Sequence, residues 1–317
     1  MTNPSEILRL GTRSSALALW QANWVKAELE TKWAGLTVEL VPIKTTGDKI
    51  LNVPLADVGG KGLFTKEIDD ALLAGKIDIA VHSMKDIPYQ MPNGIDFGAI
   101  PEREDPRDAF VSNGRNLGDL PPGAVIGTSS LRRQVQLRHR FPSIRLYPLR
   151  GNVDTRLKKV VTGEFDGIVL ALAGLKRLGQ TAVVTQIIDE GLMLPAIGQG
   201  ALGIACRTKD TAVREKLSTL DHLPTHLAVS AERGLLAVLE GSCKVPIAGY
   251  GKIENGRITL RGLVANLSGS IVIADEVSGD AGNAAAAREL GLKLGKQLVE
   301  RGAGKILTEI TQSGATR

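Results

Sequence analysis

The chain has 317 residues, 43% apolar and 23% charged, which describes a folded globular protein too long for one ordinary core. No run approaches the roughly 18 apolar residues of a membrane span, and no basic segment with an apolar stretch opens the chain as a secretory leader would. Two cysteines in unrelated contexts argue against a disulfide framework and for a reducing cytoplasm.

Ile7 to Leu10 reads as a buried strand. Ala16 to Trp33 reads as a helix, with Leu17, Trp20, Trp24 and Ala27 at three- and four-residue steps. Val38 to Thr45 is a second strand, and Thr46 to Gly62, with glycines at 47, 59, 60 and 62, reads as a long lid loop. Lys66 to Ala74 predicts a helix and Ile77 to Val81 a strand that runs into His82-Ser83-Met84-Lys85-Asp86. A charged link, Glu102 to Arg107, opens a second similar series. Its strands are Ala124 to Gly127, Ile144 to Leu149 and Gly167 to Leu172; its helices are Ser130 to Arg140, Asp154 to Thr162 and Ala173 to Leu178. Such alternation implies βαβ units and mainly parallel sheets. Leu10-Gly11-Thr12-Arg13-Ser14 and Ile126-Gly127-Thr128-Ser129-Ser130 echo each other, each following a strand and opening a helix. Gly203 to Cys206 is a strand that can return to the first sheet, since Pro195 separates it from the second series. A third unit follows: a helix from Thr225 to Leu239, a cysteine loop, and strands Ile247 to Ile253, Ile258 to Ala265 and Ile271 to Val277. Asn255-Gly256 is a hairpin turn between the first two. The closing helix, Ala284 to Arg301, carries Leu290, Leu294 and Leu298 on one face. The expected division is 1–101 with 201–219, then 106–195, then 223–317.

The net charge of +5 is unevenly placed. Leu131 to Leu178 holds eleven Lys or Arg against three Asp or Glu, so that stretch stands at +8 and the remainder at −3. This predicts one cationic surface, for nucleic acid or for a small polyanion. Only 3% of residues are aromatic and no recognition-helix, RRM, KH or zinc-finger pattern occurs, which favours the small polyanion. In Gly127-Thr128-Ser129-Ser130-Leu131-Arg132-Arg133, hydroxyls cap a new helix and two arginines fall in its first turn. Helix N-terminal N–H groups favour anions, and arginines add bidentate carboxylate binding. The plainer alternative is a serine cap with solvent-facing arginines. Arg13 to Ser15 repeats the arrangement, and Arg150, Arg156 and Arg177 lie near strand ends or helix starts, the positions that border ligand crevices in open α/β sheets.

Asp86, at the end of its strand and before Pro88, is placed for proton transfer or for stabilising a cation, with a surface ion pair to Lys85 as the alternative. His82 reads as a packed, hydrogen-bonded histidine. His82, His139, His222 and His226 form no ligand set, because Pro224 spoils the one pair at helical spacing; no metal is expected. In Glu240-Gly241-Ser242-Cys243-Lys244-Val245-Pro246 the helix ends and Pro246 prevents its return, which puts Cys243 on a loop. By itself that cysteine could be inert filler.

Six motifs extend this reading. Val81-His82-Ser83-Met84-Lys85-Asp86-Ile87-Pro88, Gly127 to Gln134, Leu149-Arg150-Gly151-Asn152-Val153, Ala173 to Leu178, Leu194-Pro195-Ala196-Ile197-Gly198-Gln199-Gly200 and Glu240 to Cys243 together resemble the porphobilinogen deaminase (hydroxymethylbilane synthase) family, in that family's order. The resemblance implies an α/β protein of two lobes like those of type II periplasmic binding proteins, with a small α+β C-terminal domain that carries the cofactor cysteine. It implies the head-to-tail joining of four porphobilinogen molecules into hydroxymethylbilane with loss of ammonia. It also implies a dipyrromethane cofactor held by a thioether to Cys243, Asp86 as the catalytic acid–base, and a monomeric cytoplasmic enzyme with neither nucleic acid nor membrane as partner. Cofactor contacts fall on Lys85, Ser130, Arg132, Arg133 and Arg150. Substrate contacts fall on Arg13, Ser15, Lys61, Ser83, Arg156, Arg177 and Gln199. The residue types fit the chemistry, since an electron-poor azafulvene needs a nearby carboxylate and every added pyrrole brings an acetate and a propionate. Asp57 stands where some members of the family have lysine, so a lid contact at that position is not expected. A non-catalytic small-anion receptor on the same fold is the competing class; it would carry no covalent adduct.

Overall fold

A computed structural model of the chain describes residues 6–49, 62–239 and 245–315. In chain order the strands are β1 (Glu6–Thr12), β2 (Leu36–Pro42), β3 (Ile79–Ser83), β4 (Ile95–Ala99), β5 (Asp108–Ser112), β6 (Val125–Gly127) and β7 (Arg145–Tyr147). They continue with β8 (Gly167–Ala171), β9 (Gln186–Ile187), β10 (Leu202–Arg207), β11 (Ile247–Glu254), β12 (Arg257–Ala265) and β13 (Val272–Asp280). Two sheets have five strands, ordered β2-β1-β3-β10-β4 and β7-β6-β8-β5-β9, and a third is the meander β11-β12-β13. Among the described residues, those up to 103 together with 201–226 form one compact unit, and 104–200 with those from 227 onward form the other.

The two five-stranded sheets share one plan. Within each, the first strand of the βαβ series lies between the second and the third, all parallel. The next strand is antiparallel and arrives from another part of the chain: β10 in one sheet, β5 in the other. The expectation of mainly parallel sheets is therefore corrected, because two of the four strand pairings in each sheet are antiparallel. Periodicity reveals buried strands but not their direction. The return of the segment around Cys206 to the first sheet is borne out, and the two echoing motifs occupy equivalent places, each after the first strand of its series. A second equivalence ties these strands down. Asp78 grips the main chain of Arg9 from both sides, its carboxylate accepting from Arg9 N (2.9 Å) and its own N–H donating to Arg9 O (2.8 Å). Asp166 does the same to Val125, at 2.7 and 2.9 Å.

Both faces of the first sheet are covered. Ile79 and Val81 of β3 join Ala22, Val25 and Leu29 of the helix Ala16–Lys32 on one side, while Ala80 meets Ile68 and Leu72 of the helix Lys66–Leu73 on the other. Period-two alternation with both faces apolar is what makes β3 read as an unbroken hydrophobic run. The face of the helix Ala16–Lys32 differs from the expected one: Gln21, Ala22, Val25 and Leu29 are buried, whereas Trp20 is 38% exposed. Trp24 and Trp33 pack, partly buried, against the same core. In the C-terminal part, Leu294 and Leu298 face the meander as expected, and Asn255 (φ 50°) with Gly256 (φ 74°) makes the predicted tight turn. Thr46–Lys49 is a short helical turn, while the rest of the expected lid loop, through Lys61, lies outside the described residues.

Candidate active site

In the first unit, β1 and β3 are parallel neighbours, so Arg13 and Ser83 leave the same edge of the sheet. Ser15 caps the helix Ala16–Lys32, its hydroxyl accepting from Ala18 N at 3.3 Å. Arg13 donates to Asp48 (Nε to Oδ1, 3.1 Å) and stacks over Phe64, 4.2 Å from the ring centre. Burial raises the Asp48 carboxyl, but the bonds from Arg13 and Thr45 and the guanidinium charge outweigh it and hold it below the usual carboxylate range. Ser83 Oγ accepts from the buried Gln21 amide at 3.0 Å, which ties the end of β3 to that helix. Beyond it, Met84 N donates to Ala201 O at 3.0 Å, and one 3₁₀ turn, Met84–Asp86, leaves Lys85 half-buried and Asp86 exposed. His82 is packed as expected but not hydrogen-bonded at Nε2; burial and then the charge of Arg13 push it down to about 4, so it is neutral at pH 7.

In the second unit, β6 ends at Gly127, and Thr128, Ser129 and Ser130 lead into the helix Leu131–Arg140. Ser130 holds the cap position without a cap bond from its side chain. Ser129 donates to Leu149 O (2.8 Å) and accepts from Leu149 N (2.9 Å), which brings Arg150 to the start of that helix. The two arginines are not solvent-facing. Arg132 and Arg133 are 5% and 7% exposed and converge on Asp108, the wholly buried first residue of β5. Arg132 Nη1 donates to Asp108 Oδ2 at 2.8 Å and to Leu194 O at 2.8 Å. Arg133 binds Asp108 Oδ1 through Nε (3.1 Å) and Nη2 (2.7 Å), and Val169 O through Nη1 (2.9 Å). Gln199 Nε2 adds a bond to Asp108 Oδ1 at 3.0 Å. Burial raises the Asp108 carboxyl, yet the two guanidiniums overcome it and hold it far below the usual range. Neither Asp108 nor its role is marked in the sequence by a motif; its signal is a lone acid opening a hydrophobic strand.

The same end of the sheet gathers more positive charge. Arg156 donates to Gly151 O at 2.8 Å, and burial, then the charges of Arg133 and Arg150, push it down to about 10. Arg150 makes no hydrogen bond or ion pair with a described residue. Arg177 donates to Gly200 O at 2.7 Å, and burial lowers it to about 10 against the pull of Glu104. Gly198 and Gly200 have φ of 71° and 89°, a conformation that a side chain resists, and Glu232 clamps their turn by accepting from Gly198 N (2.6 Å) and Gly251 N (2.8 Å). Two donors of this cluster stay open: Arg132 Nε is buried without a partner, and Arg132 Nη2 bonds no described residue. Open guanidinium donors in a region of net positive charge fit a ligand rich in carboxylates. Lys61 and Cys243 lie outside the described residues. Cys206 is buried in β10, where burial raises its thiol.

Two α/β sheets of one strand order, each carrying hydroxyls and guanidiniums where its parallel strands end, with an added antiparallel meander and helices, define an α/β protein with an α+β C-terminal part. Residues 8–215 match the model of the porphobilinogen deaminase dipyromethane cofactor binding domain, and 226–300 match that of the porphobilinogen deaminase C-terminal domain. The chain is 53% identical over 310 residues to a porphobilinogen deaminase of Geobacter sulfurreducens, covering 98% of this chain and 96% of that one. It is 51% identical over 309 residues to that of Pelobacter propionicus, covering 98% and 99%. Among solved structures it is similar to the periplasmic VFT2 domain of Bordetella pertussis BvgS, with a TM-score of 0.41 and 13% identity over 68% of this chain and 86% of that one. The chain belongs to the porphobilinogen deaminase family.

Proposed function

We propose that this chain joins four porphobilinogen molecules head to tail into hydroxymethylbilane, releasing one ammonia at each joining. One observation of the structure carries the reading furthest. Arg132, Arg133, Arg150 and Arg156 crowd one end of the second sheet, and Asp108 is the only carboxylate hydrogen-bonded to them among the described residues. A chain of pyrroles, each with an acetate and a propionate, would meet that charge. Family membership favours the enzyme over the small-anion receptor.

In this reading the dipyrromethane, linked through a thioether to Cys243, supplies the pyrrole carbon on which the product is extended. Lys85, Ser130, Arg132 and Arg150 hold its carboxylates and those of each pyrrole added to it, with Arg133 behind Arg132 on Asp108; Arg13, Ser15, Lys61, Ser83, Arg156 and Arg177 hold those of the incoming substrate. Asp86 is exposed at the end of β3, and its carboxylate offsets the positive charge that develops as the carbon–nitrogen bond breaks. The same group then takes up the proton lost when the new carbon–carbon bond forms. Gln199 contributes through Asp108, since its amide is bonded there and to Pro106 O (2.6 Å). The division into 1–101 with 201–219, 106–195 and 223–317 belongs to this reading, as does a monomer in the cytoplasm. Asp86→Asn tests the central role: it should keep its pyrrole adduct and lose at least about 10²-fold in kcat, the scale of a general acid–base. Hydroxymethylbilane formation near the wild-type rate would remove Asp86 from the mechanism.

A further inference from the structure

The buried triad of Asp108, Arg132 and Arg133 is costly unless it serves something besides stability, because desolvating three charges often outweighs their attraction. Its bonds are unequally shared. Arg133 has Nε, Nη1 and Nη2 all engaged, two on Asp108 and one on Val169 O. Arg132 is held only through Nη1, by Asp108 and Leu194 O, and its Nε is buried without a partner. Nε and Nη2 form the side of a guanidinium that takes a carboxylate through two parallel bonds. Arg133 is thus the anchor and Arg132 the arm with a free edge. Asp108 itself is fixed by Gln199, on the turn that Glu232 clamps through Gly198.

We propose that Asp108 is a positioning residue: by holding Nη1 of Arg132 against the fully engaged Arg133, it aims the Nε–Nη2 edge of Arg132 at a carboxylate of the pyrrole chain. This rests on the function proposed above and adds a division of labour between two arginines that look alike in sequence. Asp108 touches no pyrrole and acts through Arg132.

Asp108→Glu keeps the charge and moves the carboxylate by one methylene. In the holoenzyme, thermal unfolding, kcat and KM for porphobilinogen are measured together. KM is expected to rise about tenfold or more, with kcat within about threefold and Tm within a few degrees of wild type, because the lost contact binds substrate and transition state alike. A folded Asp108→Glu protein with wild-type KM overturns the proposal. Should that variant not fold, Gln199→Leu leaves both ion pairs in place and removes the third support of Asp108. It should raise KM two- to fivefold in protein that still folds, with some fall in Tm from the bonds lost at Asp108 and Pro106 O, and an unchanged KM there overturns the proposal as well. Failure of the parent reading shows elsewhere, as wild-type protein with no two-pyrrole adduct and no turnover.

Discussion

Gly291 sets two effects against each other. It lies within the helix Ala284–Leu298 and faces the helix Leu223–Val238, which precedes Cys243 in the sequence. A Cβ added there would overlap the carbonyl oxygen of Ala231 and come within 2.8 Å of Leu235 N; one added at Gly234 would overlap the carbonyl of Arg288. The obstructing atoms are backbone and cannot rotate away. Helix propensity alone favours Gly291→Ala by about 1 kcal/mol. Relieving the overlap requires the helices to part, and that opens the core around Ala231, Leu235, Leu294 and Leu298, all 0% exposed. Overpacking of this kind costs about 1–3 kcal/mol and sometimes more, and with backbone on both sides the upper end applies. The net expectation is a loss of about 2 kcal/mol or more, a fall in Tm of roughly 4–8 °C or more for a cooperative unit of about 150–250 residues. Thermal unfolding followed by circular dichroism reads it. A Tm equal to or above wild type would mean that propensity decides and that the close approach of the helices is wrong.

Glu232→Gln replaces one acceptor of a buried carboxylate by a donor that faces Gly198 N or Gly251 N. The loss of one charged hydrogen bond and the stranding of one N–H should cost about 2–4 kcal/mol, read as a lower urea midpoint, whereas an unchanged midpoint would contradict the clamp. His82 supplies a pH dependence. Its folded pKa, about 4, lies below the unfolded 6.5, so its stability contribution is full above pH 6.5 and is lost as pH falls toward 4. At 1.36 kcal/mol per unit this amounts to at most about 3 kcal/mol. Stability of wild type relative to His82→Gln should decline over that interval, and parallel pH profiles would refute it.

Much of the fold was legible because its strands are short, apolar and bounded by glycine or charge, and because Asn255-Gly256 permits little other than a tight turn. Strand direction was not, since β5 and β10 look like any buried strand and only their pairing shows that β10 returns to the first sheet and that β5, ahead of its series, runs antiparallel beside β8. The second internal equivalence was present and missed: Gly75-Lys76-Ile77-Asp78 and Gly163-Glu164-Phe165-Asp166 share a glycine and an aspartate at the same spacing. Each glycine sits at positive φ, 67° and 74°, after its helix, and each aspartate bonds the backbone of the neighbouring strand, at Arg9 and at Val125. The arginines were visible as a charge excess, but their burial was not. Residue type cannot tell a guanidinium in solvent from one fixed on Asp108, because the partner acid lies 24 and 25 positions away in sequence.

The central claim is that this chain grows its product on a primer bound to Cys243, and the most direct measurement is the intact mass of the purified protein. The account predicts wild-type protein heavier than its sequence by two pyrrole units, and Cys243→Ala at its sequence mass and inactive. An unmodified wild-type protein that makes hydroxymethylbilane at full rate, or an adduct that persists in Cys243→Ala, would contradict it.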